Sequence, residues 1–124
     1  MKKTILAILA AMGWISISEF VRNQFLLQSY WVNHYQSMGL AFPAASINGA
    51  MWGVWSLVFA IFIFIISKKF TLLETTFISW LAGFVMMWLV IGNLNVLPFG
   101  ILPYAVPLSL LEAFLASWLV KKIT

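Results

Sequence analysis

The chain contains no cysteine, so disulfides, thiolate metal sites and cysteine nucleophiles are excluded, and cysteine usage says nothing about a redox compartment. Charge is nearly as scarce: 8% of residues carry one, only three are acidic, and there is a single histidine. A chain of 124 residues that is 64% hydrophobic has too little polar surface to cover a water-soluble sphere, and a bilayer is its natural solvent. No Gly-rich phosphate loop and no HExxH element occurs, and no motif names a cofactor. His34, between Asn33 and Tyr35, has no carboxylate or second imidazole near it in sequence, so neither a metal centre nor haem ligation can be argued from it. The serines lack a histidine base at a matching depth, which removes a serine hydrolase.

The cations that do occur are grouped. Six of the seven form the pairs Lys2-Lys3, Lys68-Lys69 and Lys121-Lys122, and the stretches between the pairs are apolar. A helix rising about 1.5 Å per residue needs about 20 residues to cross a hydrocarbon core of about 30 Å. Stretches of that length run over residues 4–21, 48–66, 72–91 and 101–120. Unpaired peptide groups are too costly in hydrocarbon for open strands, so each stretch must be helical. The predicted fold is therefore an all-α integral membrane protein, one domain of four transmembrane helices in a compact bundle. Lysine bias places both termini and the short 67–71 connection in the cytoplasm, with the 22–47 loop and the 92–100 connection outside. This is the pattern of a bacterial inner-membrane protein.

Met1-Lys2-Lys3 and the apolar run after it also fit a secretory signal ending near Ser16-Ile17-Ser18. Because apolar character resumes at Phe20-Val21 and at Phe25-Leu26-Leu27, the segment is read as an uncleaved first span. Residues 24–38 have two readings, an interfacial helix ended by Gly39 or an extension of span one. The paired lysines suit anionic lipid headgroups and topology, and they form no basic stripe for nucleic acid.

Small residues mark expected helix contacts. Span four carries Ala105, Ser109, Ala113 and Ser117 at four-residue intervals, span two has Gly49 and Gly53 in GxxxG spacing, and span three has Ser79 and Gly83. The stripes serve either one bundle or contacts between protomers, so the partners implied are membrane lipids plus either a homo-oligomer or a larger membrane complex.

Polar groups within the spans carry the functional reading. Glu112 lies about 13 Å from the inner boundary, so it must be protonated, paired or in a wet cavity. Pro103 and Pro107 upstream predict a kink or loosened first turn. Glu19 lies about 24 Å from the inner boundary, with Arg22 and Asn23 at helical spacing. Two readings stay open: a local Glu19–Arg22 ion pair near the outer surface, or a polar pocket in which Glu19, Arg22 and Asn23 join Asn48, Asn93 and Asn95. Asn48 also fits the N-cap of span two. The tryptophans fill the bundle or line a cavity, with filling the simpler account. The expected function is binding of a small ligand, ion or proton in the bundle interior by Glu112, Glu19, Arg22, Asn23, Asn48, Asn93 and Ser109, as an oligomeric transporter or channel. The alternatives are an accessory subunit of a larger complex and, more remotely, a lipid-modifying enzyme with Glu19 or Glu112 as acid or base.

Overall fold

The long runs of Leu, Ile, Val, Phe and Ala satisfy their peptide groups within the segment, as helix. A computed structural model describes residues 1–124. Helix α1 spans Lys2–Phe20 and continues through a π-helical turn, Val21–Leu26. Leu27, at φ −116° and ψ 6°, breaks the axis before α2, Gln28–Ser37. Helix α3 covers Ser46–Ser67, and α4, Leu72–Trp80, runs through a second π-turn, Leu81–Val85, into α5, Met86–Asn93. A 3-10 turn, Phe99–Ile101, leads into α6, Leu102–Ile123. Four of the resulting helical stretches are long and apolar enough to cross a membrane.

Local chemistry sets the boundaries. Thr71 Oγ1 accepts from Glu74 N while Thr71 N donates to the Glu74 carboxylate, a capping box that starts α4 directly after the tight 68–71 turn. At the end of α2, Gly39 takes φ +75°, which lets Leu40 N bond Tyr35 O and Gly39 N bond Gln36 O, and the helix stops there. Both readings of residues 24–38 hold in part: span one does extend, to Leu26, and a separate helix then follows. Asn48 is not the N-cap of span two. The helix begins two residues earlier, Ala45 occupies the cap, and Asn48 Oδ1 accepts from Ala45 N from the third helical position. Pro107 lies inside α6, which is one helix from Leu102 to Ile123, and having no N–H it leaves the Pro103 carbonyl without its helical donor in the first turns.

The antiparallel order brings the three lysine pairs to one end of the bundle, where Lys121 Nζ donates to Ser67 O at 2.8 Å. Polarity is inverted relative to a soluble protein. Glu19, Arg22, Glu112, Ser79, Ser109 and Ser117 are buried, whereas Leu9, Ile17, Val58, Ile65, Phe77 and Leu89 are exposed. Helix α1 packs most extensively against α6 and α3, presenting Ala7, Ala11, Ile15 and Glu19 along one buried edge. The α6 stripe Ala105, Ser109, Ala113 and Ser117 is buried as expected, and Ala116 and Val120 extend it toward the lysines. Gly83 closes α4–α5 against α3, and an added Cβ there would lie 2.6 Å from Phe59 Cε1. The Gly49–Gly53 pair departs from expectation: a Cβ at either position would meet nothing within 4 Å. These glycines make no helix contact within the chain and instead floor a cleft between α1 and α3.

At the end away from the lysines, α2 folds back over the start of α6. Leu27 packs with Leu97, Ile101 and Ala105, and the Tyr30 and Tyr104 rings lie 6.3 Å apart. His34 Nε2 is 2.7 Å from Asn95 O, so the imidazole carries its proton on Nε2 and pins α2 to the 94–98 loop.

Candidate functional site

The site begins with the last turn of α1. Glu19 and Arg22 are three residues apart, which puts both side chains on the buried edge, and the π-turn keeps Asn23 beside them. Arg22 Nη2 donates to Glu19 Oε1 at 2.7 Å and Nη1 donates to Glu112 Oε1 at 3.2 Å. Asn23 Nδ2 donates to Glu19 Oε2 at 2.9 Å and its Oδ1 accepts from Trp31 Nε1 at 3.2 Å. One guanidinium is thereby shared by two carboxylates from different helices, and the amide carries the network on to α2.

Counting residues along each axis separates Arg22 from Glu112 by about 15 Å in depth. Side-chain direction closes that gap. Each Cα–Cβ bond tilts toward its own helix N-terminus. On α1 this aims Arg22 toward the lysine end, and on the antiparallel α6 it aims Glu112 toward the other end, so the two side chains converge. The local ion-pair reading was therefore half of the arrangement: the Glu19–Arg22 pair exists, but it is buried and has a third member.

Surrounding groups hold this cluster in place. Trp14 Nε1 donates to the main-chain oxygen of Glu112 at 3.0 Å. Trp80 Nε1 donates to Ser109 Oγ at 2.9 Å, and that hydroxyl donates to Val106 O at 3.0 Å. The Phe84 ring lies under the guanidinium, 5.2 Å from Arg22 Cζ, and itself packs against Trp55, Phe59 and Trp88. Two polar atoms of the interior have no partner, Glu112 Oε2 and Ser79 Oγ.

Above the cluster, toward the end without lysines, lies a two-lobed cleft. One lobe, about 380 Å³, has Arg22 and Glu19 at its base and aromatic walls that include Trp31, Trp52, Trp55 and Trp88. The other, about 570 Å³, lies between α1 and α3 over Gly49 and Gly53. Glu19, Asn23, Asn48 and Trp52 border both lobes, which lie side by side.

Of the residues expected to form the site, Glu19, Arg22, Asn23 and Glu112 are joined in one network, Asn48 borders the cleft, and Ser109 buttresses α6 one turn from Glu112. Asn93 lies apart, exposed at the end of α5, and Asn95 offers its carbonyl to His34. Neither asparagine lines the cleft, although Val96 and Ile101 of the same connection do. The tryptophans both fill and line: Trp55 and Trp88 pack against the core and also wall the cavity. No three His, Asp or Glu side chains gather to hold a metal ion. Comparison with protein families, with curated proteins and with solved structures finds no match to this chain.

Proposed function

We propose that the protein crosses a membrane four times, with both termini and the lysine pairs on the inner side, and that it binds a small ligand entering the cleft from the outer side, as a transporter does. The carrying observation is the Glu19–Arg22–Glu112 cluster at the base of an aromatic cleft. Ionisable groups inside a membrane are expensive, and where they occur they commonly mark the path of a substrate or ion. A cavity of this size, mostly apolar with a few convergent polar groups, is the usual form of a small-molecule site.

The threading is supported by the segregation of six lysines to one end and by the exposed apolar belt between the ends. Reporter domains fused to the two termini should both report the cytoplasmic side; a split result would remove this topology.

The binding reading is tested with Glu112→Gln, which keeps the shape and a hydrogen bond to Arg22 but removes the charge. The variant should unfold at nearly the wild-type denaturant concentration, yet change the affinity of any compound that quenches the cleft tryptophans, in a screen of small amines, carboxylates and neutral aromatics. Identical binding profiles for the two proteins would count against the site.

A further inference from the structure

We propose that the ligand of this cleft is an organic ammonium cation that displaces one proton from the Glu19–Arg22–Glu112 cluster, a proposal that rests on the cleft being a ligand site. Charge is the first argument. Two carboxylates face one guanidinium, so the cluster carries one negative charge in excess when both acids are ionised. Arg22 already gives one Nη to each carboxylate and lays its face on Phe84, so its charge is met within the cluster and an anionic ligand would add to the excess. An ammonium above Glu19 would balance the excess.

Geometry is the second argument. Glu112 Oε2 is buried without any donor or acceptor. With the cleft empty, a proton on this carboxyl gives the neutral cluster that a low-dielectric interior requires, and an arriving cation makes that proton redundant. The ionisable groups facing Glu112 are Glu19 and Arg22 alone. Helices α3 and α5 carry none, and the one acid of α4, Glu74, sits beside the lysine end with Lys68 and Lys69. Tyr35 is the remaining titratable residue of the cleft wall.

The walls are the third argument. Trp31, Tyr35, Phe42, Trp52, Trp55 and Trp88 surround the outer lobe, and aromatic faces hold alkylammonium groups by their quadrupoles, with Trp the best. The second lobe runs along the exposed flank of α1 and α3, where Ile17 and Phe20 border it and the missing Cβ atoms of Gly49 and Gly53 leave it open. It gives an apolar substituent a place beside the cation.

The test uses the full chain in a maltoside detergent, titrated with benzyltrimethylammonium, with its uncharged isostere neopentylbenzene, and with phenylacetate, read by calorimetry and tryptophan quenching. Benzyltrimethylammonium should bind at least about tenfold more tightly than the isostere, and weaken about tenfold per unit fall in pH as the displaced proton competes. Glu112→Gln should weaken it by more than about tenfold and flatten the pH dependence. Trp52→Ala, at a residue 40% exposed and bordering both lobes, should weaken it without unfolding the chain. If neopentylbenzene or phenylacetate binds as tightly, with the same loss in Trp52→Ala, the ammonium class falls while the cleft stands as a ligand site. If benzyltrimethylammonium binding ignores pH and Glu112→Gln, the proton exchange falls. If no probe gives a signal sensitive to Trp52→Ala, the ligand-site reading falls with it.

Discussion

Replacing Arg22 by methionine is expected to destabilise the fold by about 3–5 kcal/mol, the cost of leaving buried carboxylates without their partner. Glu19 Oε1 loses its 2.7 Å bond and Glu112 Oε1 its 3.2 Å bond, and both side chains are buried, Glu19 5% exposed and Glu112 0%. Lysine at this position should recover only part of the loss, because a single ammonium cannot supply the planar fork that reaches two acids on different helices. The informative control is the triple variant Glu19→Gln, Arg22→Met, Glu112→Gln, which removes every charge of the cluster and should regain most of the stability lost by Arg22→Met alone. Denaturant unfolding in mixed micelles measures all three. An Arg22→Met protein within about 1 kcal/mol of wild type would place these contacts with ordinary solvent-screened ion pairs and contradict the buried arrangement.

The second large effect is expected at Phe84. This is the largest side chain in the fully buried set, 1% exposed, and it meets Trp55 and Phe59 at 5.7 Å, Trp88 at 5.9 Å and the Arg22 guanidinium at 5.2 Å. If the bundle sits in hydrocarbon, as proposed, there is little apolar transfer energy to lose, and the penalty of truncation comes from the void and from the contacts that surrounded the ring. Phe84→Ala should therefore lower stability by about 3 kcal/mol. Phe84→Leu retains most of the volume and gives up the aromatic contacts and the cation–π face, for about 1 kcal/mol. Equal losses for alanine and leucine would mean that the ring's electrostatics matter and its volume does not.

Much of the architecture was legible in the chain because the responsible forces act locally. Hydropathy and the lysine pairs located four helical stretches to within a few residues at most ends, and the brevity of 67–71 dictated the α3–α4 hairpin. The alanine–serine stripe of α6 marked its buried edge, since small side chains permit close approach. The interior acid at 112 stood out by charge alone. The Thr71-x-x-Glu74 capping box was present as a signal and went unused.

What was not legible depends on direction and on distant partners. Arg22 and Glu112 meet only because side chains on antiparallel helices lean toward each other, which residue counting along an axis omits. Gly49 and Gly53 carry the spacing of a packing motif, yet spacing does not say whether another helix arrives, and here an opening takes its place. The break at Leu27, which swings Trp31 and Tyr35 over the cleft, depends on α2 docking against Leu97 and Ile101, far along the chain.

The contrast between the two ends of the bundle has a consequence for traffic. Below the charged cluster the helices meet through the buried side chains of Ala11, Ile15, Ala60, Ile63, Ala116 and Val120. If the proposed transport is right, a solute in this cleft stands over closely packed helices, and its passage would require α1 and α6 to shift relative to one another. Edges rich in small residues present few interlocking knobs, so such a glide would sacrifice little packing, and Arg22, bonded to an acid on each of the two helices, would have to change partners.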